Sequence, residues 1–234
     1  MSIAVLSSDT VASVLGPIGD TLPSAVGIAL SPVPIIAVIL MLMTPKARST
    51  STSFMVGWLA GITVATILFS AVAGLLPDSS DGPDLGASIV RIILGVGLLI
   101  LAVRQWRGRP SEGETAELPT WMQAIDTLSP LSAMGTGFAL AAINPKNLLL
   151  AAGAGIAFNQ APGLGAAAVS ITVYVVIAGA SVWVPVVALL TWGERLLDPL
   201  ERLRRWLTAN NAAIVAVVLL VLGAVLLGKG LATL

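Results

Sequence analysis

Six stretches of this chain stay apolar for about 20 residues at a time, and most polar positions fall between them. Lipid cannot satisfy exposed backbone groups, so a chain crosses it as helices of that length. The pattern predicts an all-α integral membrane protein with six transmembrane helices, near Leu22–Met43, Phe54–Leu76, Ala87–Val103, Leu131–Ala157, Gly163–Leu190 and Asn211–Leu231. The second, third and sixth are plain spans, whereas the first and fourth carry internal prolines. Ahead of the first span, residues 1–20 lack a basic start and are interrupted by Asp9, Gly16, Pro17, Gly19 and Asp20. They predict a short outer segment on or in the interface rather than a cleaved signal peptide.

Composition agrees with this setting and removes several chemistries. With 56% hydrophobic and 10% charged residues and a mean hydropathy of +0.97, the 234-residue chain is not an ordinary soluble domain. Cysteine and histidine are both absent, so there is no disulfide framework, thiolate metal site or imidazole base. The net charge of zero hides a segregation. Lys46 and Arg48 lie between the first two spans, Arg104, Arg107 and Arg109 between the third and fourth, and Arg195, Arg202, Arg204 and Arg205 between the fifth and sixth. The alternate connections hold no basic residue, only Asp78, Asp81 and Asp84 in one and no charge in the other. The positive-inside rule then puts both termini outside a multi-pass protein of the cytoplasmic (inner) membrane. Trp106, Trp121, Trp192 and Trp206 fall at the cytoplasmic helix ends, where indoles anchor an interface.

An internal repeat underlies the six spans. "SPVPII", from Ser31, and "NPKNLL", from Asn144, stand mid-span in the first and fourth helices, 113 residues apart. Because those helices run in opposite directions, residues 1–106 and 121–234 are expected to be inverted three-helix repeats joined by a cytoplasmic linker at 107–120, all in one membrane domain. Ser and Asn are favoured helix N-caps and proline is favoured at the first helical position. Ser31-Pro32 and Asn144-Pro145 therefore predict helix starts near the bilayer centre, each aiming unpaired N–H groups and a positive dipole end at the midplane, a ready site for an anion or a polarised oxygen. Broken backbone at that depth belongs in a protein interior or a cavity.

Lys146 adds a charge there, and no Asp or Glu lies within any of the six spans. Its expected partner is a carbonyl at a broken helix end, a neutral hydroxyl or the substrate; alternatively it gives up its proton during transport. The bland readings are that Pro32 and Pro34 only kink a helix and that Lys146 snorkels from a later span start. Snorkelling is the expected fate of Arg91 and Lys229. "GWLAG", Gly57 to Gly61, suits close helix packing. "DPLERLRRWL", Asp198 to Leu207, reads as a cytoplasmic interfacial helix, and Trp121–Leu128, with Asp126, as a second one.

"SPVP" in the first helix, "TPKAR" at its cytoplasmic end, "GWLAG" in the second and "NPKN" in the fourth resemble the actinobacterial sulfolipid-addressing and glycopeptidolipid-addressing (Sap/GAP) family. That family is similar in turn to the lysine exporter superfamily. The resemblance covers nearly the whole chain and implies an inverted-repeat, dimeric exporter that moves a glycolipid or related metabolite toward the cell envelope. Its motif positions here are Ser31, Pro32, Pro34, Asn144, Pro145, Lys146 and Asn147, the expected substrate-binding residues.

The favoured expectation is a secondary exporter of a polar or anionic amphiphile, such as a glycolipid or envelope-lipid precursor, working by alternating access. The alternatives are an exporter of an amino-acid-like solute and a non-transporting scaffold for envelope-lipid biosynthesis or export proteins. Intramembrane carboxylates are missing, which argues against metal-ion exchange. No catalytic residue, metal, cofactor or nucleic-acid partner is expected, because no His, Cys or membrane carboxylate is present for acid/base or metal work. No "GxxxxGK[ST]" loop is present, so a proton gradient is the expected driver, with Lys146 or Asp126 as carrier.

Overall fold

The computed structural model describes residues 8–75, 85–109, 125–159 and 161–232, and every regular element among them is helical. In chain order these are α1 (Ser8–Ala29), α2 (Pro32–Leu42), α3 (Ala47–Ala73), α4 (Leu85–Arg107), α5 (Pro130–Ala142), α6 (Pro145–Asn159), α7 (Leu164–Trp192) and α8 (Leu197–Leu231). Among the described residues, α3, α4, α7 and α8 are each long and apolar enough to cross a membrane. Two bent pairs, α1–α2 at 53° and α5–α6 at 62°, raise the number to six if each pair is one span. Both bends fall where the sequence predicts helix starts, at Pro32 and Pro145.

Two expectations need correction. Residues 8–29 form a single helix, so the expected outer segment and the outer half of the first span are continuous. Pro17 and Pro23 lie inside that helix, and prolines are tolerated where neighbours re-satisfy freed backbone groups. α7 packs along α1 and supplies Ser170 Oγ to the Val14 carbonyl at 3.4 Å. Likewise the interfacial helix expected at Asp198–Leu207 runs straight into the last span as the 35-residue α8. Nothing between them breaks a helix: Thr208 Oγ1 donates back to Arg204 and Asn210 Nδ2 to Trp206, each at 2.9 Å. At ~52 Å, α8 exceeds the ~30 Å hydrocarbon core, leaving its charged first turns beyond it. Of the stretch Trp121–Leu128, the described part holds a short 3₁₀ helix at Ile125–Thr127. Residues 110–124, which include Trp121 and most of the expected linker, and the Asp126 side chain lie outside the described residues.

The helices pack most extensively as α4 on α8, α3 on α5 and α6, and α1 on α7. Glycine makes the α3–α5 approach possible. A Cβ on Gly57 would collide with the Met134 carbonyl, and one on Gly137 with the Phe54 carbonyl and, at 3.0 Å, the Trp58 nitrogen. The packing role read from "GWLAG" is thus borne out. Gly57 faces Met134, Gly61 faces Phe138 and Ala141, Phe69 faces Gly155, and Gly74 faces Asn159. The α5–α6 pair therefore climbs alongside α3 in the same direction, covering the ~25 Å that α3 rises from residue 57 to residue 74.

Candidate functional site

The two breaks are built by hydrogen-bond shortages that the prolines create. Pro32 has no N–H, so the Ile28 carbonyl loses its helical donor. The Ser31 N–H turns to Ile28 instead, at 3.1 Å, and this frees the Gly27 carbonyl. Lys146 Nζ fills the gap: it donates to Gly27 O at 2.7 Å and also to Ser31 Oγ. Lys146 is buried, with 7% of its surface exposed, so it does not snorkel. Of the partners expected for it, a carbonyl at a broken helix end and a hydroxyl are both present.

Ser31 departs from its expected role. Its backbone has the extended cap conformation, φ −78° and ψ 111°, but its side chain makes no cap bond. Pro34 removes one of the two N–H groups a cap could take, and the hydroxyl accepts from Lys146 instead. At the second break the expected cap forms, with Asn144 Oδ1 accepting the Lys146 N–H at 3.0 Å. Asn147 Nδ2 donates to the carbonyls of Leu140 and Ala141 at 3.3 and 3.4 Å, covering the end of α5. In this way one four-residue motif satisfies three helix ends.

A cavity of about 530 Å³ brings the two motifs together. Ser31, Pro32, Pro34, Asn144, Pro145 and Lys146 line it, whereas Asn147 is spent on α5. Arg104, Gln105 and Asn211 complete the wall, and sequence reasoning missed all three as site residues. Arg104 signals only as a loop charge and Asn211 only as the first residue of a span. Asn211 Oδ1 is buried and receives no hydrogen bond from the protein. The lining holds two cations and no carboxylate, so the cavity is electropositive. Its size lies within the ~300–1,000 Å³ of typical ligand pockets.

A second cavity, of about 270 Å³, lies further along the same helices, lined by Asp20 and Ser24 of α1, Arg91 of α4, Gly153 and Ala157 of α6, and Lys229 of α8. The two snorkelling expectations change here. Arg91 lines this cavity, and Lys229 Nζ is held by Asp20, 2.6 Å from Oδ1 and 3.2 Å from its carbonyl. Gly27, Leu150 and Leu222 pack tightly together: a Cβ on Gly27 would strike the Leu222 side chain and come within 3.2 Å of Leu150 Cδ1. Leu219 lines the first cavity and Leu222 the second, so the two linings come within ~5 Å of each other along α8. α4, α6 and α8 each contribute to one cavity and then the other, while α2 lines the first and α1 the second.

A family model described as Sap, sulfolipid-1-addressing protein, matches residues 21–232. No curated protein and no solved structure matches the chain.

Proposed function

The chain belongs to the Sap, sulfolipid-1-addressing protein, family, and from that premise we propose that it exports an anionic amphiphile, a glycolipid or envelope-lipid precursor, by alternating access. A multi-pass membrane protein linked to lipid export is the coarser statement the family and the apolar helices carry. The observation behind the finer one is the electropositive cavity in which Lys146 ties one helix break to the other. An acidic head group entering it meets Arg104, Lys146 and Asn211. Its arrival competes with Ser31 and Gly27 for the Lys146 ammonium, which loosens the tie between the breaks. The packed cluster of Gly27, Leu150 and Leu222 then parts toward the second cavity.

Two inverted three-helix repeats are supported by the packing. Exchanging the first, second and third spans with the fourth, fifth and sixth turns the α3 on α5–α6 contact into the α7 on α1 contact and leaves α4 on α8 unchanged. The similar bends at Pro32 and Pro145 obey the same exchange. Similarity to the lysine exporter superfamily belongs to the same reading. The chain itself performs no chemical conversion in this account, and a proton gradient drives the cycle, with Lys146 in contact with both substrate and breaks. An acid-free cavity disfavours a cationic amino-acid-like solute.

The test is efflux of a labelled sulfated glycolipid from proteoliposomes, with and without a pH gradient. Gradient-dependent flux that disappears in Lys146→Ala, with the protein still folded, supports transport. Absence of flux in the wild type, or flux unchanged in Lys146→Ala, overturns it in favour of a scaffold.

A further inference from the structure

The seam between α1 and α8 has open space on both sides. On the protein side lies the second cavity, lined by the basic side chains of Arg91 and Lys229 together with Asp20. On the opposite side is a groove of about 390 Å³ formed by α1 and α8 alone, with Leu22, Val26 and Leu30 facing Val217 and Val221. Pro23 and Leu222 line both spaces, so the polar cavity and the apolar groove meet across these two side chains. The tie across the seam is the Lys229–Asp20 ion pair, whose side chains are 42% and 62% exposed. An ion pair so exposed is weak and readily exchanged.

We propose that this seam is a binding site for an anionic amphiphile: an acidic head group (sulfate, phosphate or carboxylate) sits in the cavity on Arg91 and Lys229, and its chain passes between Pro23 and Leu222 into the groove. The proposal rests on the export reading and adds to it the site from which the amphiphile leaves sideways into the bilayer. Asp20 holds Lys229 while the cavity has no head group. An arriving anion takes its place, which releases this ion pair between α1 and α8. Charge-assisted bonds from Arg and Lys suit acidic oxygens, and the buried Ser24 is a further polar group in the wall. The groove runs ~12 Å from Leu22 to Leu30, enough for an octyl chain.

The chain has no cysteine, so a single introduced thiol reports on the cavity without background. Ala157→Cys, on the cavity wall, is placed in phosphatidylcholine nanodiscs and its modification by a charged methanethiosulfonate is timed. The probes are octyl sulfate, sodium sulfate and octyl glucoside, which separate an amphiphile from a free anion and from an uncharged amphiphile. Octyl sulfate alone is expected to protect the thiol. Adding Arg91→Gln and Lys229→Gln, or filling the groove with Val221→Trp, raises the concentration needed at least about tenfold, as the loss of one good contact would. Protection by sodium sulfate as strong as by octyl sulfate, equal protection by octyl glucoside, or protection indifferent to these substitutions overturns the proposal. Gel filtration of each variant confirms the fold. The readout is occupancy and not flux, so a transport-inactive protein with a protected thiol separates failure of the export reading from failure of this site.

Discussion

Replacing Pro32 and Pro34 together with alanine removes the cause assigned to the first break. An alanine N–H at position 32 returns a donor to the Ile28 carbonyl, one at position 34 does the same for Leu30, and Ser31 N–H is free to return to Gly27. The two added helical bonds contribute ~1 kcal/mol each, while Lys146 loses a charge-assisted bond to Gly27 worth ~1.5–3 kcal/mol. These nearly cancel, so stability is expected to change little. Shape is expected to change more. From Leu15 to the break is ~24 Å of helix and from the break to Met43 is ~18 Å. With the 53° bend the ends are ~38 Å apart, and a straight helix would put them ~42 Å apart. Leu15 and Met43 are both exposed, so each takes a nitroxide on an introduced cysteine. Pulsed electron resonance should show a ~4 Å lengthening in Pro32→Ala/Pro34→Ala, together with loss of transport. An unchanged distance would refute the proline account and leave the Lys146 tie as what holds the bend.

Three further outcomes follow from local contacts. Gly57→Ala drives a methyl into the Met134 backbone and should lower stability in detergent by about 1–3 kcal/mol, whereas Gly135→Ala, which meets nothing within 4 Å, should not. Asn147→Leu strips the end of α5 of its donor and should cost ~1–3 kcal/mol by denaturant titration, a loss smaller for Asn147→Gln if its amide still reaches Leu140. Arg204 donates to Glu201 and holds its carboxyl below the ordinary 4.5. The stabilisation is therefore present above pH 4.5 and fades as pH falls through the lowered value. Glu201→Gln should cost under about 0.5 kcal/mol at pH 7 and nothing near pH 2, as read by melting curves at the two pH values.

Much of the fold is legible in the chain because lipid leaves few options for a polar backbone. The long apolar helices, the helix starts at Pro32 and Pro145 and the glycine packing of α3 all follow from local rules that tertiary structure has no reason to override. What escapes is whatever depends on neighbours. Ser31 looks like a side-chain cap, but its hydroxyl is taken by Lys146, which arrives from 115 residues away. Lys229 looks like a snorkelling lysine because Asp20, its partner, is 209 residues distant. Arg104 reads as a topology signal because its place on the cavity wall depends on how α4 lies against α6 and α8. Pro17 and Pro23 suggest interruption, yet α7 supports the helix that contains them. Composition places a charge at the breaks, and only the packing of α1 against α6 says which carbonyl receives it.

The central claim is that the space between the two breaks holds the acidic head group of the transported lipid. It is tested most directly by an electron cryomicroscopy structure determined with a sulfated glycolipid in nanodiscs. The account predicts head-group density in the cavity of Lys146, Arg104 and Asn211, with the Lys146 ammonium drawn from Ser31 toward it. Lipid density confined to the outer faces of the helices, with Lys146 still bound to Gly27 and Ser31 at saturating ligand, would contradict it.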